Sequence, residues 1–346
     1  MLRFCKYRQN FGAFVVLSGY HQSCFPLVIF GIYIRSGFDE GAKYFGIVIV
    51  NWLLTLITFG FYYPWARARK IKYLYGATAL AGDRFAFHGV GKEMFRGFVK
   101  VIIFYVFLVG ILYVAQYYAA QGNFTVYLLL FLLHFFLFFA IIPIIIHGAC
   151  RYRMSRTTWR GIRFGYRGSK KKLYINYLKW TALSFVTFGI YGAWFTVNLR
   201  KYLIGNIRVG NLEFEYKGKG FELFMINLAA YLLTVITLGI YVFWWEKELW
   251  RYYIDNISLH KEGKSMRLRS TVTGGGLFKL RIVNFFLMIF SLGFASAWVE
   301  VRTRKYFAEN THIEGNINLD ELYQTEEIYT NATFEDASDF FDIDIF

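Results

Sequence analysis

The segment TFGFYYPWARARK, residues 58–70, ends an apolar run in a cluster of cations. Its skeleton returns as TFGIYGAW at Thr187, TLGIYVFW at Thr237 and SLGFASAW at Ser291, each time behind another apolar run. Any fold must therefore house the same apolar run, glycine and aromatic pair four times over. Shifted by 129 residues, the chain matches itself without a gap from Leu54 to Phe95. Thr58, Gly60, Tyr62 and Trp65 fall on Thr187, Gly189, Tyr191 and Trp194, and Lys72, Tyr73 and Gly76 fall on Lys201, Tyr202 and Gly205. Apolar helices that resembled one another by accident would not align their polar connections as well, so this pattern reads as internal duplication with a unit of about 50 residues.

The runs themselves predict the class. A bilayer core about 30 Å thick takes about 20 apolar helical residues, because each backbone polar group must be paired within the segment. Residues 44–63, 98–118, 124–146, 174–194, 225–245 and 282–298 meet that composition, in a chain that is 56% hydrophobic with a mean hydropathy of +0.36. Six spans are expected, with residues 11–34 as a candidate seventh interrupted by His21, Gln22, Ser23 and Pro26. Within each unit the run reads as a spanning helix that Gly60, Gly189, Gly239 or Gly293 bends near its end. Trp65, Trp194, Trp244, Trp298, Tyr73 and Tyr202 are expected as interface anchors. WARARKIKYLY reads as a helix opened by Pro64 and lying along the membrane surface. RFAFHG, RFGYRG and EFEYKG alternate as short β-hairpins do. The expected fold is thus an all-α polytopic membrane protein of about six transmembrane helices, built from repeats of about 50 residues that each add a basic interfacial helix and a short β-hairpin. The module boundaries are 1–35, 36–123, 124–178, 179–226, 227–283, 284–320 and an acidic, disordered tail at 321–346.

Charge divides the chain. Net charge is +16, yet no Lys or Arg follows Lys305 and eleven acidic residues lie from Glu309 on, leaving +27 before and −11 in the tail. The cations stand beside apolar runs, where they anchor helix ends and meet anionic head groups, so the partners expected are the bilayer and anionic phospholipid and not nucleic acid. Arg67, Arg69, Lys70, Lys72, Arg151, Arg153, Arg200 and Lys201 are the candidate head-group contacts. Cys5, Cys24 and Cys150 form no CxxC and the six His have no ligand spacing, so no metal, disulfide framework or cofactor is expected. Gly89-Val-Gly91 and Gly218-Lys-Gly220 read as turns, since neither completes GxGxxG.

FGIVIVNWLLTLITFGFYYPWARARKIKYLYGATALAGDRFAFHG closely resembles the repeated core of the YjgN-like bacterial inner-membrane proteins, and MRLRSTVT with AENTHIEGNINLDEL resembles the end of that family. The resemblance covers nearly everything beyond about Ser36. It implies a multi-pass inner-membrane protein of uncharacterised activity and carries over no catalytic residue. The chain departs from the pattern in its first 35 residues and at Ala295-Ser296-Ala297.

Polar side chains within the runs are the remaining candidates. Asn51, Asn176, Asn227 and Asn284 stand upstream of Thr58, Thr187, Thr237 and Ser291 at spacings that keep amide and hydroxyl on roughly one helix face. Such a face either lines a polar pathway or binds helices together. Counting cations by the positive-inside rule, alternating spans are expected, though this leaves five cations of the fourth connection outside; re-entrant runs that return to one side are the alternative. Transport through the Asn/Thr faces is the expected function. The other reading is an envelope scaffold that binds lipid or protein, the protein partner being an envelope protein or a second copy of the chain. No nucleophile–base pair suggests an enzyme.

Overall fold

The computed structural model describes residues 33–34, 38–315 and 317–325. The candidate N-terminal span up to residue 32 and the acidic tail from 326 lie outside the described residues; residues 33–34 are a strand. In chain order the elements are β1 (Tyr33–Ile34), α1 (Phe38–Ile57), α2 (Tyr63–Gly76), β2 (Thr78–Leu80), β3 (Asp83–Phe87), α3 (Gly91–Ala120), α4 (Phe124–Ser155), β4 (Thr157–Trp159) and β5 (Ile162–Tyr166). There follow α5 (Lys170–Val186), α6 (Gly192–Gly205), β6 (Ile207–Val209), β7 (Leu212–Tyr216), α7 (Gly220–Ile236), α8 (Val242–Asp255), β8 (Ile257–Lys261), β9 (Lys264–Ser270), α9 (Gly274–Phe290), α10 (Ser296–Glu309) and β10 (Thr311–Gly315).

The strands pair antiparallel in sequence order, β1 to β10, in one sheet. Its registers include Ala86 opposite Thr158, Gly165 opposite Arg208 and Glu215 opposite Ser258. Connections alternate strictly. Two-residue turns such as Ala81-Gly82 and Glu262-Gly263, whose residues all have positive φ, join β2 to β3 and β8 to β9. Helical hairpins fill every other connection. Because neighbouring strands are antiparallel, connections of one parity leave the sheet by one edge, so all five helical hairpins rise from the same edge.

Alternation along the strands then sorts the residues. Phe85, Phe87, Phe164, Phe214, Leu259, Met266 and Leu268 point inward and are buried against the feet of the helices, while Arg84, Glu213, Glu215, Arg267 and Arg269 point out. Each large inward side chain contributes about 1.5–3 kcal/mol of apolar burial. Residues 317–325 run back across the turns of the sheet. Ile317 is buried, Arg160 pairs with Asp320, Lys261 Nζ reaches Glu321 at 3.3 Å, and Thr325 donates to the Gly210 carbonyl at 2.7 Å.

The helices pack on their neighbours in the chain, and the last, α10, packs on the first, α1. One contact recurs around this closed ring. The second helix of a hairpin sets a Trp on a Gly at the foot of the next first helix, with a Phe four residues on. The sets are Trp65 on Gly91 and Phe95, Trp194 on Gly220 and Phe224, and Trp244 on Gly274 and Phe278. Trp298 on Gly41 and Phe45 is the same contact and closes the ring.

This architecture corrects the all-α, six-span expectation. Among the described residues two helices, α3 and α4, are long and apolar enough to cross a membrane, and they contain the runs at 98–118 and 124–146. In the other four runs the chain turns back before the run ends, so each is one helix, a bend and the start of a second. WARARKIKYLY is the returning arm α2 and not a helix lying flat. The short strands, three to seven residues where they form hairpins, are joined into one sheet because the hairpins stand side by side. Alternating inversion is overturned with the six spans.

A Cβ on Gly91 would lie 2.9 Å from the Trp65 Cα and closer still to its ring. Gly91→Ala should therefore cost about 1–3 kcal/mol by overpacking. Gly110→Ala, in the middle of α3 with open space around it, should be neutral or slightly stabilising. Thermal unfolding of the two variants in detergent checks the contrast.

Candidate functional site

Four of the five hairpins turn by one device. The first helix ends in a bulky apolar residue in the left-handed region followed by glycine: Phe59 and Gly60, Phe188 and Gly189, Leu238 and Gly239, Leu292 and Gly293, with φ of the first residue between 48° and 50°. The glycine N–H returns to the carbonyl five residues back, as from Gly60 to Thr55 at 2.7 Å and from Gly239 to Thr234 at 2.8 Å. The hydroxyl at the bend completes it. Thr58 donates to the Leu54 carbonyl at 2.7 Å and accepts from the Tyr62 N–H at 3.0 Å; Thr187, Thr237 and Ser291 do the same with Tyr191, Tyr241 and Ala295.

The bend sets an unusual residue in an unusual place. Left-handed backbone favours glycine or asparagine and is costly for a bulky side chain. Nevertheless Phe59, Phe188, Leu238 and Leu292 are 95%, 98%, 94% and 88% exposed. Around them Ile57, Phe61, Val186, Ile190, Ile236, Ile240, Phe290 and Phe294 are exposed as well. Each short hairpin therefore carries an apolar tip.

Depth follows from where the charges begin. In the short hairpins the nearest charges below the tip are Lys43, Lys179, Glu222 and Arg281 on the first arms, and Arg67, Arg200, Glu246 and Glu300 on the return arms. At 1.5 Å per residue the uncharged caps are about 6–21 Å deep. The hairpin α3–α4 differs. Its arms have 30 and 32 residues, and from Lys100 to the end of α3 it is uncharged for about 30 Å. Its tip is polar, Gln121-Gly122-Asn123, flanked by Tyr117, Tyr118 and Tyr127.

The sequence-derived candidates are dispersed among these parts. Asn51 donates to the Ala66 carbonyl at 3.1 Å, Asn227 accepts from Trp245 Nε1 at 3.1 Å and Asn284 donates to Thr303 Oγ1 at 3.1 Å. Each bond joins the two arms of one hairpin. Asn176 is half-buried on α5, where the 129-residue shift places Trp180 at the position of Asn51. Tyr73 stacks on Tyr44 at 5.3 Å, and Tyr202 donates to the Ser169 carbonyl at 2.6 Å, so these rings fasten the feet of α1–α2 and α5–α6. Of the expected head-group cations, Arg69, Lys72 and Lys201 are exposed and Arg151 is half-buried. Arg67, Arg153 and Arg200 are buried, with Arg200 stacked 3.7 Å over the Tyr253 ring, and Lys70 is bound to Glu300. Exposed cations that the candidate set omits, Lys92, Arg96, Lys171, Lys172, Lys179, Lys219, Lys279 and Arg302, extend a basic girdle between tips and sheet.

Glu300 is the residue that sequence reading missed. It lies 5% exposed at the joint that closes the ring. Its carboxylate accepts from Tyr44 at 2.7 Å, Lys70 at 2.8 Å and Arg304 at 2.9 Å. Burial pushes its pKa up, but Arg304 and Lys70 outweigh burial and hold it down, to about 2. At the preceding joint Glu246 of α8 pairs with Arg281 of α9. The signal for Glu300 was a lone carboxylate between Trp298 and Val301, and the signal for the tips was a bulky residue just before each hinge glycine. Among the described residues no group of His, Cys, Asp and Glu could hold a metal ion.

The profile of a family described as "Bacterial protein of unknown function (DUF898)" matches residues 38–216, 211–263 and 245–340. Inner membrane protein YjgN of Salmonella typhimurium (strain LT2) is 31% identical over 133 residues, covering 38% of this chain and 31% of that protein. Inner membrane protein YjgN of Escherichia coli O157:H7 is 33% identical over 131 residues, covering 38% and 30%. The matched part thus spans about a third of the length of these curated relatives. No solved structure matches the chain significantly.

Glu300→Gln would strip the charge from a buried cluster and leave Lys70 facing Arg304; it should cost about 3–5 kcal/mol. Because the folded pKa lies below the ordinary carboxylate value, the wild-type joint is fully stabilised above about pH 4.3 and loses that contribution as pH falls toward 2. Unfolding midpoints in detergent between pH 6 and pH 3 should fall more steeply for the wild type than for Glu300→Gln.

Proposed function

We propose, for a chain that belongs to the YjgN-like DUF898 family of bacterial inner-membrane proteins, that it is a multi-pass scaffold fixed in the inner membrane from its cytoplasmic side. The hairpin α3–α4 crosses the bilayer and presents Gln121-Gly122-Asn123 on the far face. The four short hairpins enter the near leaflet and turn back inside it. The basic girdle meets anionic head groups, and the sheet lies in the cytoplasm as a docking platform for an envelope protein or a second copy of the chain.

The observation that carries this reading is the set of four bulky apolar residues held in left-handed backbone and exposed at the tips. A tip in water would favour glycine or asparagine there; a tip in hydrocarbon repays the backbone cost by burying Phe or Leu, at about 1.5–3 kcal/mol each. Orientation follows from charge. With all sheet connections on one side, the cations of every connection face the cytoplasm, and the five in residues 196–220 that strained an alternating topology no longer do. Transport is the weaker reading, because the Asn51 and Asn284 side-chain N–H groups and the Asn227 side-chain carbonyl are bonded within their own hairpins.

Single cysteines at Lys217, Lys264 and Asn123, in a background lacking Cys5, Cys24 and Cys150, test the placement. Membrane-impermeant thiol reagents should label the first two only from the cytoplasmic side and the third only from the periplasmic side. Labelling of Lys217 and Lys264 from opposite sides would overturn the reading. A fluorophore at Leu238 should be quenched by lipids brominated in their acyl chains and shielded from aqueous iodide.

A further inference from the structure

The ring has very different cross-sections at its two membrane levels. Among the described residues, ten helices stand side by side at the level of the caps, and beyond the four short tips only α3 and α4 continue. With a helix diameter of about 10 Å, each helix occupies about 80 Å², so the near leaflet accommodates about 800 Å² of protein and the far leaflet about 160 Å². The closed ring makes this difference rigid. Trp-on-Gly contacts at four of the five joints, the Glu300 cluster at one of these and the packing of α4 on α5 at the fifth tie the hairpins together, which resists splaying of the tips.

From this profile we infer a further activity resting on the scaffold reading above: the chain is a one-leaflet wedge that favours, and at high density generates, membrane curved convexly toward its sheet. The partner is the lipid of the near leaflet. Its acyl chains solvate the exposed caps around Phe59, Phe188, Leu238 and Leu292, and its anionic head groups meet Arg69, Lys72, Lys172, Lys201 and Arg302. Inserting area into one leaflet alone expands that leaflet against the other, and the bilayer relieves the mismatch by bending toward the expanded side. The bends at 59–60, 188–189, 238–239 and 292–293 hold the tips at half depth and so produce the asymmetry.

The test uses the full chain with one added cysteine at Lys217, in the background without native cysteines, reconstituted into giant vesicles of phosphatidylethanolamine and phosphatidylglycerol. An impermeant dye added outside marks only molecules whose sheet faces out. When a narrow tube is pulled from the vesicle, those molecules should be enriched on it about threefold relative to the flat membrane, increasingly as the tube narrows. Molecules with the sheet inside, dyed before reconstitution and quenched from outside, should be depleted. Equal density of both populations on tube and vesicle overturns the wedge. A variant with Phe59→Asp, Phe188→Asp, Leu238→Asp and Leu292→Asp places at left-handed positions a residue tolerated there but costly in hydrocarbon. It should lose the enrichment, and retention of full enrichment by that variant, still folded and dyed, also overturns the inference. In a second variant with cysteines at both Lys217 and Asn123, dye reaching both sites of a single molecule from outside would instead sink the scaffold placement itself, so the two failures are distinct.

Discussion

A single backbone event governs this molecule: a bulky residue and a glycine, both with positive φ, reverse an apolar helix after 17 to 20 residues. Everything below the bend follows from it. The returning arm brings its own Trp to the foot of the next hairpin and then delivers the chain to the sheet edge it left. Without the reversal each strand pair would be carried to the opposite face, and no continuous sheet could form. In the one place where the bend is replaced by Gln121-Gly122-Asn123, the arms lengthen to 30 and 32 residues.

The ring and the sheet stabilise each other unequally. In the sheet the chain order is also the spatial order, so contacts between neighbouring units are local and few loops must be closed at entropic cost. Closing the ring is the exception, because it joins residues 256 positions apart, Tyr44 and Glu300. That joint repeats the Trp, Gly and Phe contact of three others and adds a buried carboxylate with three donors. A buried charge of this kind is weak evidence of added stability, since desolvation opposes the Coulombic gain. Its clearer effect is on specificity, because no other joint offers Glu300 the same three partners, and α10 therefore has one place to dock.

The inferred activity and the family connection meet at the membrane. The curated relatives are inner membrane proteins by name, and the chain's apolar surface is arranged as caps of limited depth above a basic girdle. Among the described residues, the carboxylates that are deeply placed are engaged with cations, as Glu300 is with Lys70 and Arg304 and Glu246 is with Arg281.

Membership of the YjgN-like family was legible in the sequence, from FGIVIVNWLL through AFHG and from the closing AENTHIEGN. So were the places where the chain must bend, because Gly60, Gly189, Gly239 and Gly293 follow Phe or Leu in the same setting each time. Hydropathy could not say that four runs of about 20 apolar residues stop halfway. A window average scores a helix and the start of its returning neighbour as one span, and the sign of φ at Phe188 leaves no trace in composition. Nor could it join the strands. β2, β4 and β6 have three residues each, too few for alternation to register, and they exist because neighbouring hairpins hold them within hydrogen-bonding distance. Glu300 shows the same division: the residue is plain in the sequence, but that it is buried and held by Tyr44 and Lys70 was decided by ring closure, which brings α10 against α1.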